Sequence, residues 1–229
     1  MTVELDAANC ADYLARRGEP DSDRLKVTEL GGGVSNRVLL VEGQGRRFIL
    51  KQSLDRLRVR DEWLADRSRI FREARSLQDA ARFLPSGAVP EVLWIDQDNY
   101  AFAMTAADGE AQNWKAQLLA GRIEPAVAVR VGVLLGLWIR HSWENPEMAA
   151  RYGDRTAFDQ LRIDPYYRTV ARRRPEIAAQ VKELIEESAA RRVSLVHGDW
   201  SPKNFLITPP AVTAIDFEVV HYGDRSFDA

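Results

Sequence analysis

The sequence predicts an α+β chain in two lobes, an antiparallel sheet with one long helix followed by a mostly helical half. Three observations carry this. Residues 25–52 hold three β-rich runs separated by glycine turns. Residues 61–83 and 125–142 place apolar side chains at helical spacing. A late run, Ser194 to Phe217, sets His197, Gly198, Asp199, Asn204 and Asp216 around two short apolar strands. The lobes are expected at residues 1–104 and 105–229.

In order, residues 7–17 form an amphipathic helix with Ala7, Cys10, Ala11 and Leu14 on one face, ended by Gly18. Leu25–Leu30, Arg37–Val41 and Arg46–Gln52 are strands, the last two joined at Gly43-Gln44-Gly45. Between the first two lies Gly31-Gly32-Gly33-Val34-Ser35-Asn36, either a plain tight turn or a lid whose backbone N–H groups and Ser35 hydroxyl meet phosphates.

Lys51 closes the apolar strand Phe48-Ile49-Leu50, and a buried ammonium needs an anionic partner. The helix over 61–83 offers one. Glu73 lies between Ile70 and Leu77 on the buried stripe, so we pair it with Lys51, with Glu62 as second choice. The intervening Arg56, Arg58 and Arg60 read as a solvated loop.

Beyond the turn-rich 85–89, strands are expected at Val92–Ile95 and Tyr100–Met104, with a hinge at Thr105 to Gly109. Helices follow at Ala111–Ala120 and Pro125–Ser142, where Gly132 and Gly136 suggest close packing. His141 is read as a cap, a buried structural residue or a substrate contact. Residues 144–174 read as irregular apart from a short helix near Tyr166-Tyr167. Pro175–Arg192 read as a helix with Ile177, Ala178, Val181 and Ile185 facing inward.

Composition narrows the function. With 229 residues, 45% hydrophobic and 29% charged, the chain is long enough for one large domain or two modest lobes. A net charge of −2 gives no field favouring nucleic acid or an anionic membrane, so neither is an expected partner. Only five lysines occur, so each strand- or loop-borne lysine carries information. The single cysteine, Cys10, builds no internal disulfide and no zinc site. No secretory leader and no apolar run of about 20 residues is present, so a cytoplasmic protein is expected. Oligomeric state is left open.

The spacing of the late run suits phosphoryl transfer from a nucleotide. That chemistry needs a carboxylate beside the acceptor hydroxyl and oxygen ligands for magnesium at the phosphates. A loop opening on Asp199 and closing on Asn204 can serve both needs, and Asp216, delivered by a neighbouring strand, adds a second metal ligand. His197 is then architectural, its ring bonding backbone. Lys203 either reaches the transferring phosphate or is a solvated loop lysine.

This run resembles the catalytic core of the protein-kinase-like small-molecule kinases, the superfamily of aminoglycoside phosphotransferases, choline kinases and methylthioribose kinases, which use His-Gly-Asp where protein kinases use His-Arg-Asp. Gly32-Gly33-Val34-Ser35-Asn36 is similar to the corresponding loop of choline kinases. Lys51-Gln52-Ser53-Leu54 with Arg58-Val59 and Glu62-Trp63 is similar to methylthioribose kinases. The resemblance implies a protein-kinase-like fold and an ATP- and magnesium-dependent enzyme moving the γ-phosphate to a hydroxyl of a small molecule, be it a sugar, an amino alcohol or an aminoglycoside. A nucleotide-binding regulator without catalysis is the alternative.

By the same likeness Asp199 is the catalytic carboxylate, Asn204 and Asp216 hold magnesium, and Glu218 adds a ligand, as in the Asp-x-Glu of methylthioribose kinases. Gly32, Gly33, Ser35, Asn36 and Lys51 take the nucleotide phosphates, Glu73 fixes Lys51, and adenine bonds backbone near Met104 to Ala106. Methylthioribose kinases generally lack an Asn at the position of Asn204, so the acceptor stays open. A protein kinase is excluded, since only residues 217–222 separate Asp216 from Gly223 and no Ala-Pro-Glu follows. The segment Gly223 to Asp228 resembles the family's Gly-Asp-x-x-Phe-Asp, which normally leads into further helices, so a shortened second lobe with an apolar flank near 125–142 is expected.

Overall fold

The computed structural model describes residues 3–31, 33–58 and 63–229; Gly32, Val59, Arg60, Asp61 and Glu62 lie outside the described residues. The chain divides into two units, Met1–Gln78 with Pro90–Ala107, and Asp79–Val89 with Asp108–Ala229. Residues 79–89, placed in the first lobe by the sequence, group with the second unit.

The first unit is a five-stranded antiparallel sheet in the order β1-β2-β3-β5-β4, with β1 Lys26–Glu29, β2 Asn36–Gly43, β3 Arg46–Ser53, β4 Val92–Asp96 and β5 Ala101–Thr105. Alternation sorts the two faces. Leu39, Val41, Phe48, Leu50, Ala101 and Ala103 build one core with Cys10, Tyr13 and Leu14 of helix α1, Cys10–Arg16. The first of the helices expected from sequence is thus shorter than 7–17, because Asp6 turns residues 7–9 by accepting the N–H groups of Ala8 and Asn9. The Tyr13 hydroxyl donates to Asp96 at 2.6 Å and Arg17 pairs with the same carboxylate at 3.0 Å, tying α1 to β4. Cys10 is fully buried, and burial pushes its thiol up to about 11, so it is packing rather than a nucleophile.

Helix α2 spans Arg69–Ala80, not 61–83. Trp63 and Ala65 pair their backbone with Leu57 and Asp55 instead, and Leu64 bridges Arg56. Asp66 then makes the turn into the helix, accepting from the Ser68 N–H at 2.9 Å and the Ser68 hydroxyl at 2.8 Å. The apolar periodicity in 64–68 belonged to this return, not to a helix.

The second unit is mostly helical: α3 Trp114–Leu119, α4 Pro125–Ser142, α5 Pro146–Arg151, α6 Thr156–Phe158, a π-helix at Asp159–Arg168, α7 Thr169–Arg173 and α8 Ala178–Ala190. Helix α3 starts later than expected because Gln112–Asn113 form strand β6, and the Asn113 side chain caps the helix by accepting the Ala116 N–H. Helix α4 begins with Pro125, whose missing N–H costs nothing there, and buries Val127, Val131, Leu134, Trp138 and Ser142. Trp138 packs on Phe83 and Phe217. Gly132 and Gly136 do not mediate close packing: a Cβ at either would meet nothing within 4 Å. His141 is exposed and stacks on Phe83 at 5.0 Å, neither cap nor buried residue.

Residues 144–174 are helical rather than irregular. Asn145 caps α5 by accepting from the Glu147 and Met148 N–H groups. Pro165, which has no N–H to donate, sits inside the π-helix, where the Thr169 hydroxyl donates to Asp164 O. The inward face expected for 175–192 is not buried. A 3-10 turn at Pro175–Ile177 precedes α8, Ile177 is exposed and Ala178, Val181 and Ile185 are half-buried. Val129 and Val133 of α4 are also exposed.

Two small sheets hold the late run. Strand β7, Ser194–Val196, pairs with β10, His221–Gly223. Strand β8, Phe205–Thr208, pairs with β6 and with β9, Ala211–Ala214. Among the described residues, no helix is long and apolar enough to cross a membrane.

Candidate active site

In the first unit, Lys51 and Glu73 are joined as the sequence required. The Lys51 side chain leaves β3 on the face opposite Leu50, and α2 brings Glu73 to it with Nζ to Oε1 at 2.8 Å. Lys51 is 4% exposed and Glu73 0%, so the pair is desolvated. Beside it the Gly-rich turn is held from behind: Ser35 O accepts from the Leu54 N–H at 3.0 Å and from the Arg69 guanidinium. Arg69 is buried and also donates to the carbonyls of Leu54, Ala65 and Asp66, stapling turn, β3 exit and α2 together. Ser35 and Asn36 are buried at the base of the turn, with the Asn36 amide donating to Ser35 Oγ. A Cβ at Gly33 would find only an ordinary contact at 3.6 Å, so packing does not require glycine there; a bare backbone is what it leaves. Met104 lies in β5 opposite Ile49, and the next N–H, of Thr105, already donates to Glu91 O.

In the second unit, β7 runs into the loop His197–Asn204. Gly198 has φ +80, and a Cβ there would stand 2.8 Å from Val219 Cγ2, so the turn admits glycine alone without rearrangement. His197 is buried and architectural as read from sequence. Its Nε2–H donates to Ile215 O at 3.2 Å, and Nδ1 accepts the Asp199 N–H at 3.3 Å, which fixes the neutral tautomer. Burial holds it down at about 4. The Asn204 amide donates to Asp199 O at 2.9 Å, closing the loop on itself. Ile215 N–H donates to Asn204 O at 3.0 Å, which sets the next residue, Asp216, beside the loop's end. Asp216 has φ 70, an uncommon conformation for a non-glycine residue that costs about 1 kcal/mol or more and clusters at functional positions.

Two partners of this loop were not foreseen. Arg162, on the π-helix, donates from Nη2 to Asp199 Oδ2 at 2.7 Å and from Nε to Gly198 O at 2.9 Å. Nothing in the sequence signalled it, since it lies 37 residues from Asp199 in a stretch read as irregular. Asp228 accepts the His197 N–H at 2.5 Å and the Gly198 N–H at 2.8 Å from beneath. Its segment was singled out by resemblance, but no role was given to it. Lys203, read as a phosphate contact or a solvated loop lysine, is half-exposed and pairs with Asp199 Oδ2 at 2.8 Å.

The electrostatics follow from these contacts. Burial pushes the Asp199 carboxyl up, but Arg162 and Lys203 with the Ser201 hydroxyl outweigh it and hold Asp199 below the usual carboxylate range. At Asp228 burial outweighs the two N–H donors and the Arg162 charge and pushes the carboxyl up to about 7. Asp199 therefore stays ionised. It borders a cavity of about 590 Å³ within this unit, lined also by Arg162, Tyr166, Trp200 and Ser201.

Asn204 and Asp216 offer a side-chain carbonyl and a carboxylate, a hard-oxygen pair of the kind magnesium accepts while keeping waters and phosphate oxygens. Among the described residues no group of three or more His, Cys, Asp and Glu is placed to hold a metal ion. Glu218 is buried two residues past Asp216.

A sheet unit carrying a buried lysine–glutamate pair, and a helical unit carrying an aspartate–asparagine loop followed by Asp216, are the parts of the two-lobed kinase-like α+β class. The chain belongs to the phosphotransferase enzyme family, whose model matches residues 26–229. It is 25% identical over 258 residues to methylthioribose kinase 2 of Oryza sativa subsp. japonica, covering 98% of this chain and 60% of that protein. It is 26% identical over 250 residues to methylthioribose kinase of Escherichia coli, covering 94% of this chain and 59% of that one. The chain thus spans about 60% of the length of the curated relatives it matches. The same fold is found in an ethanolamine kinase of Plasmodium vivax, at 14% identity and TM-score 0.60, over 96% of this chain and 64% of that one. It is found again in an aminoglycoside phosphotransferase solved with AMP-PNP and hygromycin B, at 16% identity and TM-score 0.55, over 97% and 75% of the two chains.

Proposed function

We propose that the protein is a magnesium- and ATP-dependent kinase that phosphorylates a hydroxyl of a small molecule. The observation that carries this reading is the Asp199 carboxylate, kept ionised at the border of a cavity, with Asn204 and Asp216 tied beside it through the Ile215 backbone. Relatives named as kinases of a small sugar support the substrate class.

In this reading Asp199 accepts a hydrogen bond from the acceptor hydroxyl, aligns its oxygen and takes its proton as that oxygen bonds to the γ-phosphorus and the bond to the leaving ADP oxygen breaks. A carboxylate held below its ordinary pKa is a weak base, so orientation is its larger contribution. Arg162 and Lys203 both occupy Oδ2, which leaves Oδ1, shared with the Ser201 hydroxyl, for the acceptor. Asn204 and Asp216 would hold the magnesium, with Glu218 as a further ligand, and a metal there would supply charge neutralisation at the transferring phosphate. Lys51, fixed by Glu73, would take the α/β-phosphates, Gly33, Ser35 and Asn36 would meet them from the turn, and the backbone around Met104 would take the adenine.

The test is a screen of sugars, amino alcohols and aminoglycosides with Mg·ATP, following ADP release and phosphorylated product. Acceptor-dependent ADP supports the reading. Nucleotide binding without transfer to any acceptor supports a non-catalytic regulator instead.

A further inference from the structure

Helix α2 buries a charged side chain at each end. At its start Arg69 donates to the carbonyls of Ser35 and Leu54. In its last turn Asp79, 2% exposed, is met by α5 and the residue that follows it. Arg151 Nη1 donates to both carboxylate oxygens, at 2.9 and 2.7 Å, and the Tyr152 hydroxyl donates to Oδ2 at 2.7 Å. Arg82, just past the helix, adds an ion pair at 3.3 Å. Tyr152 is itself buried, and its carbonyl accepts the Tyr222 N–H at 2.8 Å. Tyr222 stands opposite Leu195 in the β7–β10 pair that leads into the catalytic loop. Glu73, bonded to Lys51, lies on α2 between the two anchors.

Helix stability alone does not ask for this arrangement. Taking a carboxylate out of water carries a desolvation penalty that an apolar residue would not. Apolar packing is also non-directional, so Ile70, Ala74 and Leu77 would tolerate a helix turned or shifted by a fraction of a turn. The bonds to Asp79, with their fixed lengths and angles, would not. Asp79 does not line the cavity beside Asp199, and nothing in the chemistry above employs it.

We infer that Asp79 is a positioning residue for the nucleotide phosphates: it fixes the register of α2, through α2 the place of Glu73, and through Glu73 the reach of Lys51. This rests on the reading of Lys51 as the phosphate ligand. The route makes the effect selective. Lys51 meets phosphates and not the base, so a loosened anchor costs phosphate affinity and spares the nucleoside.

The experiment is calorimetric titration of the full chain, of Asp79→Asn and of Arg151→Met with adenosine and with Mg·ADP. Asp79→Asn keeps the shape of the side chain and loses its charge. Arg151→Met, at a half-buried position, removes the same ion pair from the other side. Each variant should bind Mg·ADP roughly fivefold or more weakly, and adenosine within about twofold of the parent. The double variant should lose about as much as the worse single one. Equal losses for adenosine and Mg·ADP would mark general damage to the fold, and parental Mg·ADP affinity in both variants would mark an anchor without influence. Either result, or additive losses in the double variant, overturns the inference and leaves the kinase reading standing. A parent chain that binds Mg·ADP no more tightly than adenosine overturns the phosphate reading of Lys51 and the inference with it.

Discussion

Arg162 grips Asp199 twice, through the carboxylate at Oδ2 and through the carbonyl of the preceding Gly198. One planar guanidinium thus fixes both the side chain and the backbone of the loop, which a lysine, with a single point charge, cannot reproduce.

Arg162→Met should raise the Asp199 pKa, because it removes a cation that counters burial there. Phosphoryl transfer should fall about tenfold or more, and the acid limb of the kcat profile should move to higher pH. Arg162→Lys should restore the position of that limb better than it restores kcat. An unshifted limb in Arg162→Met would show that Arg162 does not act on Asp199.

Lys51→Met and Glu73→Leu should each destabilise the chain by about 3–5 kcal/mol, since each takes from a buried charge its 2.8 Å ionic partner. The double variant should cost far less than the sum. Chemical denaturation reads the cycle; additive losses would break the pairing.

Gly198→Ala should cost about 2–3 kcal/mol, with the methyl meeting Val219 Cγ2 at 2.8 Å and Phe158 Cδ2 at 3.2 Å and the backbone held at φ +80. Thermal unfolding measures it. A variant as stable as the parent would mean the loop relaxes freely.

Much of the site was legible because its chemistry is compressed into short segments. His197 to Asn204 and Asp216 flank one hairpin, β8 and β9, and Lys51 with Glu73 needed only strand alternation and a helical stripe. What the sequence did not disclose is long-range or locally ambiguous. Arg162 reaches Asp199 from a π-helix, whose spacing matches no standard period and whose Pro165 reads as a breaker. The early boundary given to α2 came from apolar residues that instead pair with residues 55–57. Asp228 is a lone acid in sequence, and only the fold brings it under two loop N–H groups.

Stability should depend on pH through Asp228 and His197 in opposite senses. Asp228 has a folded pKa of about 7, above its unfolded value, so the folded state binds the extra proton and stability from this group falls as pH rises from about 4 to 7. His197, at about 4 when folded, releases its proton on folding, so its share of stability rises with pH between about 4 and 6.5. The two largely cancel in the parent. Asp228→Asn removes the falling term, so this variant's stability should climb with pH across that window. Denaturant midpoints at pH 4.5 and 6.5 should therefore separate in the variant by more than in the parent, and equal separations would contradict the assignment.

The central claim is that Asp199 orients and deprotonates the acceptor. It is tested by comparing Asp199→Asn with the parent chain for Mg·ATP affinity and for single-turnover transfer to the best acceptor from the screen. The account predicts near-parental nucleotide affinity with transfer reduced at least ~10²-fold. Transfer at the parental rate would contradict it.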